Sequence, residues 1–287
     1  MVSLLGTNAF KIAEFRCPGK PEITDVEAAS FPEIVLPRLG SYLRSDAAGE
    51  VLLNKTTLAF FEANQPYTIR HFRPAPDLTT IIAITDTQSL HAALGVLLPA
   101  GRAFSRSAIR MPAEIVLAHR RLLRQIRAGV DGRFAAEEIA AQIIMRSLAL
   151  SLGDEPDLTR PRPPSMGGDQ FATAEAVVSY VAKTFASRVT LEQVANAVGL
   201  STFHLCRVFQ AATGGSIHQH LLAVRLEAAV ARLIDTEKSI TEIAHDVGFS
   251  SHSHLTALFT RTFGVPPSRV RATRERPAPV RRDLLTI

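Results

Sequence analysis

Apolar positions recur at helical spacing twice in the C-terminal half of the chain. Residues 191–201 (LEQVANAVGLS) are echoed by residues 240–250 (ITEIAHDVGFS). Each copy has apolar residues at positions i, i+3, i+4 and i+7, and a glycine at i+8. This pattern predicts a two-turn helix with one apolar face, which ends where the glycine adopts a left-handed backbone and turns the chain.

A second helix is predicted after each of these glycines. Ser201 with Thr202, and Ser250 with Ser251, are candidate N-caps. The buried positions of these helices are predicted to be Leu205, Val208 and Phe209 in the first copy and Leu255, Leu258 and Phe259 in the second. Each copy therefore predicts a helix-turn-helix, whose second helix can enter a major groove of DNA. An all-helical repeat with no role in nucleic-acid binding is the alternative.

The segment that joins the two copies, residues 216–234, predicts one continuous helix. It contains no proline or glycine, and its apolar residues keep helical spacing. At about 1.5 Å per residue it would span roughly 28 Å. Successive major-groove faces on one side of DNA lie about 34 Å apart. A rigid connector of this length could therefore hold both second helices on the same face of DNA.

Three segments of this region resemble the AraC/XylS family of bacterial transcription regulators. They are residues 225–229 (RLEAA), residues 243–244 (IA) with 247–255 (VGFSSHSHL), and residues 263–267 (FGVPP) with Arg271. The resemblance covers residues 171–274 and implies a tandem helix-turn-helix unit that binds DNA. Ile217 stands where the family often has proline, and isoleucine preserves the helix.

The N-terminal region has short apolar runs separated by turn-forming residues. Residues 31–42, 51–61, 67–72 and 78–85 are predicted as strands, and their number and spacing favour a small sandwich or barrel. Residues 14–19 (EFRCPG), 40–42 (GSY) and 66–71 (PYTIRH) are similar to the N-terminal halves of some family members. That similarity implies a cupin-like sensory β-barrel.

Two helices are predicted at residues 112–129 and 134–152, and the short turn between them favours antiparallel packing. The apolar positions of the second helix are Phe134, Ile139, Ile143, Ile144, Leu148 and Leu150. The family resemblance implies a dimerisation pair. A helical cover for the barrel is the alternative, and both can hold.

Together these elements predict an α+β chain with two domains. Residues 1–152 form a cupin-like sensory and dimerisation domain, and residues 153–169, rich in proline and glycine, form a linker. Residues 170–274 form the all-α DNA-binding domain, which begins with a helix through residues 174–184. Residues 275–287 form a basic tail.

Composition adds a modest preference for a polyanionic partner. The net charge is +5 and the isoelectric point is about 9.6, and most of the positive excess lies in residues 170–287. No apolar run approaches the roughly 20 residues of a membrane span, and residues 1–8 lack the basic segment of a signal peptide. We therefore expect a cytoplasmic protein with no membrane partner.

Base contacts are expected from the outward face of each second helix near its N-terminus. In the first copy these residues are Ser201, Thr202, Phe203, Cys206, Arg207 and Gln210. Arg207 is the strongest candidate for reading a base, because its guanidinium can donate two hydrogen bonds to guanine. Phe203 is predicted either to press on a thymine methyl group or to pack as a partly buried staple beneath the motif.

In the second copy the expected contacts are Ser250, Ser251, His252, Ser253, Thr256, Ala257 and Arg261. These side chains are small or weakly basic, and Ala257 departs from the longer polar residues that family members often carry. We expect this motif to contribute less base discrimination and more positioning on the DNA backbone, through Ser250, Ser251 and Arg261.

No metal, cofactor or catalytic site is expected from the sequence. His252 and His254, like His218 and His220, lie two residues apart and so point to different helix faces. Cys17 and Cys206 are far apart, and neither belongs to a CxxC motif. The N-terminal histidines also lack the HxH pair of metal-binding cupins; they are His71, His91 and His119.

The sequence therefore predicts a DNA-binding transcription regulator of the AraC/XylS type. Its expected partners are double-stranded promoter or operator DNA, a small-molecule effector, a second copy of the chain and, for an activator, RNA polymerase. Tyr67, Arg70 and His71 are conceivable effector anchors, although no effector site is assigned. The alternative is a cupin-type enzyme that carries a vestigial DNA-binding module.

Overall fold

The computed structural model describes residues 1–20, 23–88, 102–159 and 169–275. Ten strands make up most of the N-terminal domain. They are β1 (Val2–Gly6), β2 (Phe10–Cys17), β3 (Glu27–Ala28), β4 (Glu33–Leu39), β5 (Ser41–Asp46), β6 (Gly49–Asn54), β7 (Thr57–Phe61), β8 (Pro66–Arg70), β9 (Asp77–Ile84) and β10 (Ala108–Arg110).

The strands form two stacked sheets. The larger sheet has the order β1-β2-β9-β4-β7-β10 and the smaller has the order β3-β8-β5-β6. Successive side chains of β4 and β7 point to opposite faces of the larger sheet. Ile34 and Phe60 point to one core, whereas Val35 and Phe61 point into the space between the sheets.

The expected closed barrel is not formed by the described strands, because the two sheets exchange no ladder and each keeps two edges. The sandwich alternative matches the structure. Two expected strands are each divided in two. Residues 31–42 break at Gly40 between β4 and β5, and residues 51–61 turn at Lys55 and Thr56 between β6 and β7.

A buried arginine ties the two sheets together. Arg44 of β5 is 2% exposed, and its Nη1 donates a 2.8 Å hydrogen bond to the carbonyl oxygen of Phe60 in β7. Its guanidinium also pairs with Asp46 and lies 4.1 Å from the centre of the Phe61 ring. The charge is therefore compensated on both sides of the space between the sheets.

Two antiparallel helices, α1 (Ala113–Arg127) and α2 (Arg133–Leu152), cover the outer face of the larger sheet. Ile115 of α1 and Ile143 of α2 belong to the same buried cluster as Ile34 and Phe60. The prediction of a helical cover is thus confirmed. Phe134, which was expected on the apolar face of α2, is instead 79% exposed.

The C-terminal domain is wholly helical. Its helices are α3 (Asp169–Thr184), α4 (Leu191–Val198), α5 (Thr202–Thr213), α6 (Ile217–Asp235), α7 (Ile240–Asp246), α8 (His252–Phe263) and α9 (Pro267–Glu275). The two helix-turn-helix motifs, α4–α5 and α7–α8, and the connector α6 lie where the sequence predicted them. Gly199 ends α4 with φ of 70°, as expected. Helix α7 ends earlier than its counterpart, at Asp246, and Gly248 supplies the turn with φ of 84°.

The two motifs meet at one junction on α6. Arg225 Nε donates a 2.8 Å hydrogen bond to the carbonyl oxygen of Phe185, and its Nη2 donates one of 2.9 Å to that of Ser187. The Phe185 ring packs against the cores of both motifs. A Cβ at Gly248 would lie 2.6 Å from the Phe185 carbonyl oxygen and 2.9 Å from Arg225 Nε, so this contact requires glycine.

The outer face of the smaller sheet packs on the first motif. Leu43 of β5 and Leu52 of β6 share a buried cluster with α3, α5 and α6. Polar contacts surround this cluster: Ser41 Oγ donates to Glu175 Oε1 at 3.2 Å, and Lys55 pairs with Glu227 at 2.9 Å. The other face of α1 packs on the second motif through Val116 and Leu117. The N-terminal domain therefore contacts both halves of the tandem unit.

The expected linker begins as packed structure. Leu158 is buried between the sheets, and its N–H donates to the carbonyl oxygen of Ala108 at 2.8 Å. Residues 160–168 and the tail from residue 276 lie outside the described residues, as does His91. No described helix combines the length and apolar character needed to cross a membrane.

We predict that Gly248→Ala destabilises the protein more than Gly199→Ala. Both substitutions place a side chain at positive φ, which costs about 1–2 kcal/mol. Only Gly248 faces atoms closer than 3 Å, whereas nothing lies within 4 Å of a Cβ at Gly199. Overpacking should add about 1–3 kcal/mol. The free energy of unfolding in urea measures both losses, and equal losses would contradict the junction's role.

We predict that His220 makes the protein less stable in mild acid. Burial, with Lys55 and Arg110 nearby, lowers the pKa of His220 to about 4, whereas an unfolded histidine has a pKa of about 6.5. The unfolded state therefore binds more protons between these values, and stability falls as the pH drops from 6.5 towards 4. His119, whose pKa burial lowers to about 3, acts in the same direction.

Denaturant unfolding between pH 7.5 and 5 should show a shallower loss of stability for His220→Leu than for the wild type. His218→Leu, which replaces an exposed histidine on the same helix, serves as the matched control and should follow the wild type. Parallel curves for His220→Leu and the wild type would contradict the prediction.

Candidate functional site

The outward face of α5 is open to solvent. The Ser201 side chain caps the helix by accepting a hydrogen bond from the His204 N–H at 3.4 Å. Leu205, Val208 and Phe209 are buried as predicted. The expected DNA contacts on this helix are exposed, except Thr202, which is half-buried; they are Ser201, Phe203, Cys206, Arg207 and Gln210.

Phe203 is 90% exposed, so the reading of this residue as a buried staple is wrong. A large apolar side chain held in water at the start of a helix is unfavourable for the isolated protein. Contact with a partner surface would remove this cost. This exposure favours the other reading, contact with a thymine methyl group.

Arg207 is oriented by a neighbour one turn earlier. Its Nη2 donates a 3.1 Å hydrogen bond to Nδ1 of His204, and both side chains are exposed. A restrained guanidinium loses less conformational entropy on binding a base than an unrestrained one. Sequence reasoning missed His204, although its position beside inward Leu205 and one turn before Arg207 was the available signal.

The second recognition helix, α8, is built similarly. Ser251 is its N-cap and accepts from the His254 N–H at 3.1 Å, while Ser250 Oγ forms a 3.1 Å hydrogen bond with His254 Nδ1. The expected contacts exposed on this motif are Ser250, His252, Ser253, Ala257 and Arg261, and Ser251 is half-buried.

Thr256 was also expected on the outward face of α8. It is half-buried, and its hydroxyl oxygen is buried without a hydrogen-bond partner among the described residues.

A pocket of about 110 Å³ lies between the two sheets of the N-terminal domain. The apolar part of its wall is formed by Phe15, Val35, Phe61, Tyr67, Ile69 and Ile81. Glu27 and Glu33 supply carboxylates, and burial raises the pKa of Glu33 to about 7. An apolar wall with a few polar groups is the usual character of a small-molecule site.

Only two of the three conceivable effector anchors reach this pocket. Tyr67 and His71 line it. Arg70 lies between them in sequence and belongs to the opposite face of β8, where its guanidinium lies 5.5 Å from the Phe72 ring. The alternation of side chains along the strand explains the difference.

The pocket also gathers three potential metal ligands that sequence reasoning did not combine. They are Cys17, His71 and Asp77, whose ligand atoms all lie within 4.8 Å of one another. Imidazole Nε2 of His71 donates a 2.6 Å hydrogen bond to Asp77 Oδ2. Cys17 is far from the other two in sequence, and the three residues lack a metal-binding spacing, so the sequence offered no signal.

The family model for a helix-turn-helix domain matches residues 194–273. The bifunctional transcriptional activator and DNA repair enzyme AdaA of Bacillus subtilis is 32% identical over 97 residues, or 34% of this chain. This chain covers only 46% of AdaA. The multiple antibiotic resistance protein MarA of Escherichia coli is 30% identical over 101 residues, which are 35% of this chain and 80% of MarA.

Among solved structures, an AraC-type transcriptional regulator from Chromobacterium violaceum is 28% identical. The match covers 39% of this chain and 99% of that one, with a TM-score of 0.36.

Proposed function

The chain belongs to the AraC/XylS family of DNA-binding transcription regulators, and we propose on this premise that residues 170–274 read a promoter or operator through both recognition helices. The observation that carries the proposal is the exposure of the outward faces of α5 and α8. The N-terminal domain contacts the tandem unit chiefly through α3, α6 and the inner parts of α5 and α8. Most of the expected DNA contacts therefore remain open.

The two motifs have different roles in this proposal. Arg207 reads a guanine and Phe203 contacts a thymine methyl group, so α5 supplies most of the base discrimination. Helix α8 presents serine and histidine side chains near its N-terminus, and Arg261 lies further along the same helix. These groups suit contacts with phosphates, which fix the register of the protein on DNA.

We further propose that a small molecule bound between the two sheets regulates DNA binding. The smaller sheet supplies Tyr67 and Ile69 to the pocket, while Leu43 on its outer face packs on the first motif. A ligand that moves this sheet would alter the packing beneath α3 and α5. Regulation follows only if the ligand's affinity for the DNA-competent arrangement of the two domains differs from its affinity for the other arrangement. The pocket suits an apolar body with a cationic or donor group for Glu27 or Glu33.

We also propose that the protein acts in the cytoplasm as a non-catalytic homodimer. Val130, in the turn between α1 and α2, and Phe134, at the start of α2, are 91% and 79% exposed and would be buried in a dimer contact. If DNA binding activates transcription, RNA polymerase is the expected further partner.

We predict that selection from a random duplex pool with the full-length protein recovers a motif with two recognised segments about one helical turn apart. Arg207→Ala should weaken binding to the selected site by about 1–3 kcal/mol and relax the base preference at one position. Arg16→Ala, which removes an exposed arginine of the N-terminal domain, is the control and should change neither.

Equal loss of affinity on random DNA would refute base reading by Arg207. A pool that stays random both for the full-length wild type and for residues 171–287 alone, with each protein shown to be folded, would argue against the tandem reading of the operator. Competition with non-specific duplex at fixed salt distinguishes a loss of base-specific affinity from a general loss of affinity for DNA.

We predict that small amphiphilic amines raise the thermal midpoint Tm of the wild type, because a ligand that binds only the folded state stabilises it. Ile81→Trp should fill the pocket and abolish the shift. Leu39→Trp, at an exposed position of the neighbouring strand, is the control and should keep it. A shift that Ile81→Trp leaves unchanged would place the ligand elsewhere.

A further inference from the structure

Cys17, His71 and Asp77 come together by strand register rather than by sequence spacing. Cys17 is the last residue of β2 and Asp77 the first of β9, and the two are direct partners in the antiparallel ladder. Opposite residues of such a pair have Cβ atoms about 5 Å apart on the same face. His71 directly follows β8 of the other sheet. The three side chains therefore span both walls of the pocket.

The backbone around Cys17 is shaped for a close approach to the segment before Asp77. Gly19 has φ of 67°, and a Cβ there would lie 1.7 Å from the carbonyl oxygen of Ala75. The Ala75 N–H donates to the Gly19 carbonyl oxygen at 3.2 Å. The Gly19 N–H donates to Cys17 Sγ at 3.3 Å. These contacts fix the sulfur in position beside Asp77.

The Asp77 carboxylate gives an independent reason to expect a bound cation at this cluster. One carboxylate oxygen, Oδ2, accepts from His71, but Oδ1 is buried with no hydrogen-bond partner among the described residues. Asp77 is 3% exposed. An unsatisfied buried carboxylate oxygen costs free energy that a bound cation would remove.

The donor set matches a borderline-soft divalent ion. A thiolate, an imidazole and a carboxylate are all ligands of Zn²⁺ in proteins, and zinc sites with three protein ligands keep a fourth position for an exogenous group. A thiolate disfavours Mg²⁺ and Ca²⁺. All three residues line the pocket between the sheets, so the fourth position would face it.

We propose that Cys17, His71 and Asp77 bind a divalent transition-metal ion, with Zn²⁺ the best match, and that its open coordination position faces the pocket. The site assigns a role to the buried Asp77 oxygen and to the Gly19 turn. It is independent of the regulation proposed above, because metal binding is measured without DNA and without an effector.

The test uses untagged full-length protein, stripped with a chelator and titrated with Co²⁺ as a spectroscopic probe. One Co²⁺ per chain should bind and give a thiolate-to-cobalt charge-transfer band, which Zn²⁺ should abolish by displacement. Cys17→Ser should eliminate the band, and His71→Gln and Asp77→Asn should each weaken Co²⁺ binding by at least about tenfold. Cys206→Ser and His218→Gln, which change exposed residues, are the matched controls and should bind as the wild type does.

A second measurement needs no variant, so it remains informative even if the substituted proteins misfold. Zn²⁺ should protect Cys17 but not Cys206 from alkylation, as read by mass spectrometry of the wild type. The proposal is overturned if folded wild-type protein gives no charge-transfer band, or if Zn²⁺ leaves both cysteines equally reactive. Loss of the band in Cys206→Ser instead of Cys17→Ser would also overturn it.

Discussion

The arrangement of the C-terminal domain depends on the contact between Arg225, Phe185 and Gly248. Each motif alone has a small core, and their shared boundary is the connector α6. Arg225 holds the carbonyl groups at the end of α3, and the absence of a side chain at Gly248 lets the second motif's turn approach them. A rigid junction matters because two recognition helices can address one DNA face only if their separation is fixed.

The smaller sheet of the N-terminal domain is the second element on which the molecule depends. Its inner face supplies Tyr67 and Ile69 to the pocket, and its outer face supplies Leu43 and Leu52 to the core of the first motif. Strand alternation places these side chains on opposite faces of one layer. A structural change on the pocket side of this sheet is therefore only one sheet thickness away from the DNA-binding unit, which packs directly on the other side.

Buried polar and charged side chains lie where the layers are joined. Arg44 connects the two sheets, and Glu175 of α3, whose pKa burial raises, faces Ser41 and Arg73 of the N-terminal domain. His220, whose pKa burial lowers to about 4, lies beside Thr56 at the same interface. Such groups stabilise an interface only when their partners are present, so they specify how the layers dock more than they add to stability.

The sequence by itself determined the tandem helix-turn-helix, because its elements depend on local information. Helical periodicity, serine caps and the turn glycines act within a few residues, and the positions of Leu205, Phe209 and Gly199 followed from them. The linear pattern also identified short strands and two helices in the first half.

Only the tertiary structure decided the features that depend on long-range packing. It divided two expected strands, chose stacked sheets over a closed barrel, turned Phe134 outward and partly buried Thr256. Likewise, Cys17, His71 and Asp77 meet through strand register and the stacking of two sheets. Most of those contacts join residues far apart in the chain, and a one-residue change of register would reverse the faces, so local spacing does not predict them.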